Sequence, residues 1–274
     1  MQNRFFFFPL EKTNHKIECG TVWLALTARG APVIVTHRCR PGGRPAGFLP
    51  APLHSSPAQG FPMKVFLHVG CGASRQDQTT RGFNTPEWRE LRLDIDKSGA
   101  PDIIGSMTDM PAVADQSVDA IFSSHNVEHL APHEVPLALA EFRRVLKPDG
   151  FAVITCPDLQ AICALVAQDT LHEPIYSTVK KPITALDVLY GFRVAMAEGG
   201  SFMAHRCGFT QSVMVHTLRQ AGFAMAATKR RGEPMYDLWA LAAMRPFSGD
   251  EMQSLVSVHF PIQGEANLWS WPAA

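Results

Sequence analysis

The chain has 274 residues, 46% of them hydrophobic and 18% charged, a balance that suits one large folded domain or two small ones. Twenty-five basic residues offset 25 acidic ones, so formal net charge is zero and long-range steering toward nucleic acid or an anionic membrane is not indicated. No apolar run approaches the ~18 residues of a membrane span. The six cysteines are scattered without a CxxC pair, which argues against a disulfide framework and for a reducing, cytoplasmic setting.

Residues 1–62 differ from the rest. "FFFF" (5–8) is too short for a signal-peptide core and stops at Pro9. Two short β-like runs in 19–39 precede a Pro/Gly/Ala/Ser-rich stretch at 40–62 that cannot bury enough surface to order itself. The reading is a poorly ordered appendage, with Met63 a natural place for translation to begin.

From Met63 onward strands and helices alternate, the pattern of a parallel sheet covered on both faces. Strands are predicted at 64–70, within 88–96, at 102–106, at 117–125 and at 150–158. A helix over 132–148 carries Val135, Leu139, Phe142, Val145 and Leu146 at helical spacing and is stopped by Pro148 and Gly150. A mostly helical insertion fills about 157–210, and another helix spans 210–223. Two runs joined by a Gly-Pro turn within 223–246 read as a hairpin, so the last strand is antiparallel. "KRR" (229–231) reads as a solvated turn between those strands, and 247–274 as a C-terminal tail. The domain proper is then 63–246.

"FLHVGCGASR" (66–75) places Gly70 and Gly72 directly after a buried strand, where backbone approaches a ligand closely. A phosphate-binding loop needs GxxxxGK[ST], which is not there. A dinucleotide loop needs a third glycine where Arg75 stands. The loop of S-adenosylmethionine (SAM) proteins is the third candidate. "LRLDID" ends the second strand about twenty-four residues after Gly70, and a carboxylate there accepts ribose hydroxyls, a feature shared with nicotinamide proteins.

The continuation "GSMTDMPAVADQSVDAIFSSHNVEHL", followed by "EFRRVLKPDGFAVITCPD", resembles the class I SAM-dependent methyltransferases, particularly the type-11 group, over about 63–160. The resemblance implies a Rossmann-like, doubly wound, seven-stranded sheet with an antiparallel last strand in three α/β/α layers. It also implies SAM as cofactor and methyl transfer as activity. Carried across, it implies that Gly70, Cys71 and Gly72 pass the methionine portion, Asp94 holds the ribose, Ile95 lies beside the adenine, Ser106 and Met107 contact the adenine, and Ser123 approaches the methionine end. Departures from the pattern fall at His68, where the family has an acidic residue, at Ser74, where it has a third glycine, and at Ser106, where it has Asp.

The acceptor has no motif. A small molecule is expected, with Tyr190, His205 and Arg206 facing it from the insertion, and His205 or His129 as base, His125 being the other candidate. His125, His129 and His133 recur every four residues, a chelating spacing, but Pro132 interrupts it and "EHL" is a family feature that needs no metal, so none is expected. The alternatives are a non-catalytic SAM or adenosyl binder and a nicotinamide-dependent oxidoreductase; the latter lacks room for a catalytic domain.

Overall fold

The computed structural model describes residues 25–26, 32–33, 63–178, 181–262 and 265–270. Of the N-terminal stretch, only Ala25–Leu26 and Pro32–Val33 are described, and they pair as a short antiparallel ladder. The expectation for the rest of 1–62 lies outside the described residues.

The second unit is built on one mixed sheet. Strands β1 (Lys64–Val69), β2 (Trp88–Asp94), β3 (Ile103–Ile104) and β4 (Val118–Ser124) run parallel. Helix α1 (Val135–Val145) leads straight into β5 (Leu146–Pro157), parallel to β4. Pro148 and Gly150 thus fall in an irregular stretch of strand rather than just past the helix. β8 (Met225–Arg231) and β9 (Asp237–Ala243) form the hairpin, with β9 inserted antiparallel beside β5. Together these are the seven strands expected, with the last antiparallel.

The tail adds to them. Helix α6 (Gly249–His259) is followed by β10 (Glu265–Ser270), which pairs antiparallel with β8 as an eighth, edge strand. The sheet order is β10-β8-β9-β5-β4-β1-β2-β3. "KRR" is not a turn but the end of β8. Lys229 is buried with its ammonium on the Pro261 carbonyl at 2.7 Å, and Arg230 and Arg231 pair with Asp158 and Asp237. Among the described residues, no helix is long and apolar enough to cross a membrane.

Alternation in the strands sends side chains to two cores. Leu67 and Val69 of β1 face one side, with Leu139 and Phe142 of α1 and Leu218 of α5 (Gln211–Gln220) packed over them. Phe66 faces the other, among Phe83, Phe122 and Phe151. Among the described residues no α-helix lies between β1 and β2, only a 3-10 turn at Gln76–Gln78. Helix α6 takes that place. Its Met252 is fully buried in the second core, and the His259 ring lies 4.3 Å from that of Phe83. Gly82 is tied to it as well: its N–H donates to the Val258 carbonyl at 3.0 Å, and a Cβ there would meet the His259 ring at 2.5 Å.

Burial pushes the His259 imidazole down from 6.5 to about 4, while its Nδ1 sits 2.7 Å from the Thr80 hydroxyl. The unfolded chain therefore binds a proton that the folded one refuses between those values, so stability falls as pH drops through that window. At 1.36 kcal/mol per unit the loss reaches about 3 kcal/mol. Melting curves from pH 7 to 4 should show this slope, and His259→Gln, which does not titrate, should lose it while melting lower at pH 7. An unchanged slope in that variant would assign the acid sensitivity to other groups.

Candidate functional site

The carboxyl ends of β1, β2 and β4 open onto a cavity of about 510 Å³, the edge at which parallel α/β sheets take their ligands. Gly70 and Gly72 shape the loop over it with φ of +66° and +51°. A Cβ on Gly70 would lie 2.3 Å from the Asn126 side chain, so glycine is required there on both counts.

Arg92, in β2, holds this loop, and sequence reasoning did not single it out. It is 2% exposed, and its guanidinium donates to the carbonyls of Gly72 (2.6 Å), Ala100 (2.7 Å), Ser74 (3.0 Å) and Gly99 (3.1 Å). Four carbonyl dipoles thus solvate a buried cation that water cannot reach. Asp94 grips from the other side: its Oδ2 accepts from the Gly72 N–H and its Oδ1 from the Asp96 N–H, both at 2.7 Å. His68, the departure in the first strand, lies 2.6 Å from Glu90, whose second oxygen accepts from the Gln76 N–H at 3.0 Å. The carboxylate that anchors the loop therefore comes from β2 here. Burial lowers the His68 pKa against the pull of Glu90.

Gly70, Cys71, Gly72, Asp94, Ile95, Ser106 and Met107 all line the cavity, together with His129 and Arg206. Ser123 does not: it is fully buried, with the Asn126 amide 3.4 Å from its hydroxyl, and Asn126 lines the cavity in its stead. Tyr190 is exposed and His205 stands behind the wall, so neither is a lining residue. Cys71 is buried, which pushes its thiol up to about 11 and keeps it inert at neutral pH.

The far wall comes from the insertion. It comprises α2 (Leu159–Ala167), a two-stranded ribbon of β6 (Pro174–Ser177) and β7 (Pro182–Thr184), α3 (Ala185–Tyr190) and α4 (Arg193–Ala197). The ribbon interrupts what the sequence predicted as helical. Gly200, Phe202, Met203 and Arg206 reach the cavity from just beyond it. Gly191 makes that approach feasible: its φ is +100° and a Cβ would sit 2.0 Å from the Met203 carbonyl. The segment then docks on the turn after β4, with the Arg206 N–H donating to the Glu128 carbonyl at 2.8 Å.

His125 is a lining residue in the left-handed region (φ +49°). Burial opposes its charge, but Asp237 and Glu128 outweigh it and raise the imidazole to about 9. As an imidazolium it has no lone pair with which to take a proton. His129 does. Its Nδ1–H donates to the Ala204 carbonyl at 3.2 Å, which leaves the lone pair on Nε2.

Residues 67–154 match the family model described as a methyltransferase domain. Among solved structures, the chain is similar to a SAM-dependent methyltransferase, possible histamine N-methyltransferase, from Thermotoga maritima, at 13% identity over 68% of this chain and 84% of that one, with a TM-score of 0.44. It is also similar to the 1,6-didemethyltoxoflavin-N1-methyltransferase of Burkholderia thailandensis with bound 1,6-didemethyltoxoflavin and S-adenosylhomocysteine (14% identity, 66% and 71% covered, TM-score 0.43). A SAM-dependent methyltransferase from Archaeoglobus fulgidus is comparable (13% identity, 66% and 86% covered, TM-score 0.43). No curated protein matches the chain significantly.

Proposed function

We propose that this chain, which carries a methyltransferase domain over residues 67–154, moves the sulfonium methyl group of SAM onto a small-molecule acceptor. The observation that carries the reading is one cavity lined by two unlike sets of residues. The glycine loop and Asp94 form one, and Phe202, Met203 and Arg206 form the other.

In the first set, each Asp94 oxygen accepts one backbone N–H and keeps a lone pair for a ribose hydroxyl. Ile95, half-exposed, offers the adenine an apolar surface. The second set mixes apolar side chains with the Arg206 guanidinium, a lining that orients a small polar acceptor. The sulfonium is already electrophilic, so the protein's task is to align the nucleophile behind the methyl and to keep water out. His129 presents the lone pair nearest to that task, either to the acceptor's proton or to whatever holds the acceptor. The balanced net charge favours a small acceptor over nucleic acid.

Incubation with methyl-labelled SAM and a small-metabolite extract tests the reading. Wild-type protein should bind SAM near micromolar, about −8 kcal/mol, and pass label to a low-molecular-weight product. Asp94→Ala, losing charge-assisted hydrogen bonds of roughly 1.5–3 kcal/mol each, should bind on the order of a hundredfold more weakly and transfer no label while keeping its circular dichroism. Failure of the wild type to bind SAM would overturn the assignment; unchanged affinity in the variant would remove Asp94 from the ribose.

A further inference from the structure

Glu128 helps to hold the charge on His125, yet its own carboxylate stands out among the described residues. It is 1% exposed, and neither carboxylate oxygen has a hydrogen-bond partner. The imidazolium of His125 stands 3.4 Å from Oε1 through its Nδ1 and offsets part of the carboxylate's charge, but it makes no hydrogen bond to it. A buried, unsatisfied carboxylate costs several kcal/mol unless something compensates it.

Two imidazoles lie beside it. One ligand-capable atom from each of Glu128, His129 and His205 lies within 4.8 Å of the other two. The rings of His129 and His205 meet edge to face, with centroids 4.8 Å apart. Each is already oriented from behind: His129 Nδ1–H donates to the Ala204 carbonyl at 3.2 Å and His205 Nδ1–H to the Val188 carbonyl at 2.7 Å. Carbonyls accept only, so both tautomers are fixed with the lone pair on Nε2. This is the arrangement by which outer partners orient metal-binding histidines.

We propose that Glu128, His129 and His205 bind a divalent transition-metal cation of the Zn²⁺ type. Two neutral imidazoles and one carboxylate suit zinc and its neighbours better than magnesium or calcium, which prefer all-oxygen shells. Three protein ligands leave further coordination positions open. Because His129 lines the cavity, the site adjoins the space assigned above to the acceptor, and that placement rests on the methyltransferase reading. The bound cation occupies the His129 lone pair, so an acceptor oxygen or nitrogen is held by coordination there rather than by loss of its proton to histidine. The spacing of His125, His129 and His133 conceals the site, because its third ligand comes from 76 residues beyond His129.

The full-length protein, freed of metal, is titrated with Co²⁺ and then Zn²⁺, with visible d–d absorption and elemental analysis as readouts. Wild type should bind one equivalent of Co²⁺ with d–d bands that Zn²⁺ displaces. Glu128→Gln, nearly isosteric, and His205→Asn should each weaken binding by more than the roughly 10–100-fold that losing an outer partner costs. His133→Asn, an exposed neighbour, should bind as wild type does. The proposal falls if wild type takes up no stoichiometric metal, if Glu128→Gln and His205→Asn bind unchanged, or if His133→Asn loses binding equally. SAM calorimetry on the same samples separates the two readings. SAM binding without metal removes only the metal site; metal binding without SAM removes only the cofactor assignment.

Discussion

Arg92→Met is expected to abolish measurable SAM binding and to lower the melting temperature by roughly 10 °C. The substitution keeps the unbranched apolar stem but leaves the carbonyls of Gly72, Ser74, Gly99 and Ala100 without their shared donor. Each unsatisfied buried group costs about 1–3 kcal/mol. Relaxation of the loop toward water recovers part of this, leaving about 3–5 kcal/mol. For a domain of this size each kcal/mol corresponds to about 2–4 °C. The relaxation itself moves Gly70 and Gly72, so affinity is lost along with stability. Arg92→Lys should be intermediate, since a compact ammonium cannot span four acceptors that a planar guanidinium reaches. Calorimetry and thermal melts of both variants decide it; wild-type SAM affinity in Arg92→Met would mean that Asp94 and Glu90 suffice to hold the loop.

Removal of residues 247–274 should yield a chain that aggregates or fails to melt cooperatively. The deletion strips α6 from Phe66, Phe83 and Phe151 and bares an aromatic surface. A milder probe is Met252→Ala within the complete chain. Met252 is fully buried, and truncating such a side chain costs about 2–5 kcal/mol. Its melting temperature should fall by roughly 5–15 °C with SAM affinity nearly unchanged, because no residue of α6 lines the cavity. A soluble, cooperatively melting deletion would show that the 76–87 segment covers the core by itself.

The parts of the protein legible in its sequence are those where backbone geometry dictates residue type. Gly70 has to be glycine and Gly72 favours it, and the end of the second strand places Asp94, so the loop follows from local rules, whereas Met107 was legible only through the family resemblance. Arg92 was hidden because a lone basic residue in an amphipathic strand carries no pattern; its partners come from two loops that only the fold brings together. The cluster of Glu128, His129 and His205 was hidden for the same reason. Helix α6 is a different case. Ser248 and Glu251 form a capping box ahead of Met252, Leu255, Val256 and His259, which is a helix signature in plain view. The expected tail at 247–274 holds instead a helix whose apolar side packs into the second core, a long-range contact that no local pattern announces.

That cover has a cost in time. Phe66, Phe83 and Phe151 are synthesised long before residues 249–260, and at 5–20 residues per second the interval after residue 151 is roughly 5–20 s. Throughout it the nascent chain carries an uncapped aromatic face, and no amount of local folding in the first half closes it. Closure of the second core therefore waits until α6 has been synthesised, whatever the first half of the domain does before it. A ribosome stalled anywhere before residue 249 presents an adhesive surface that chaperones must hold.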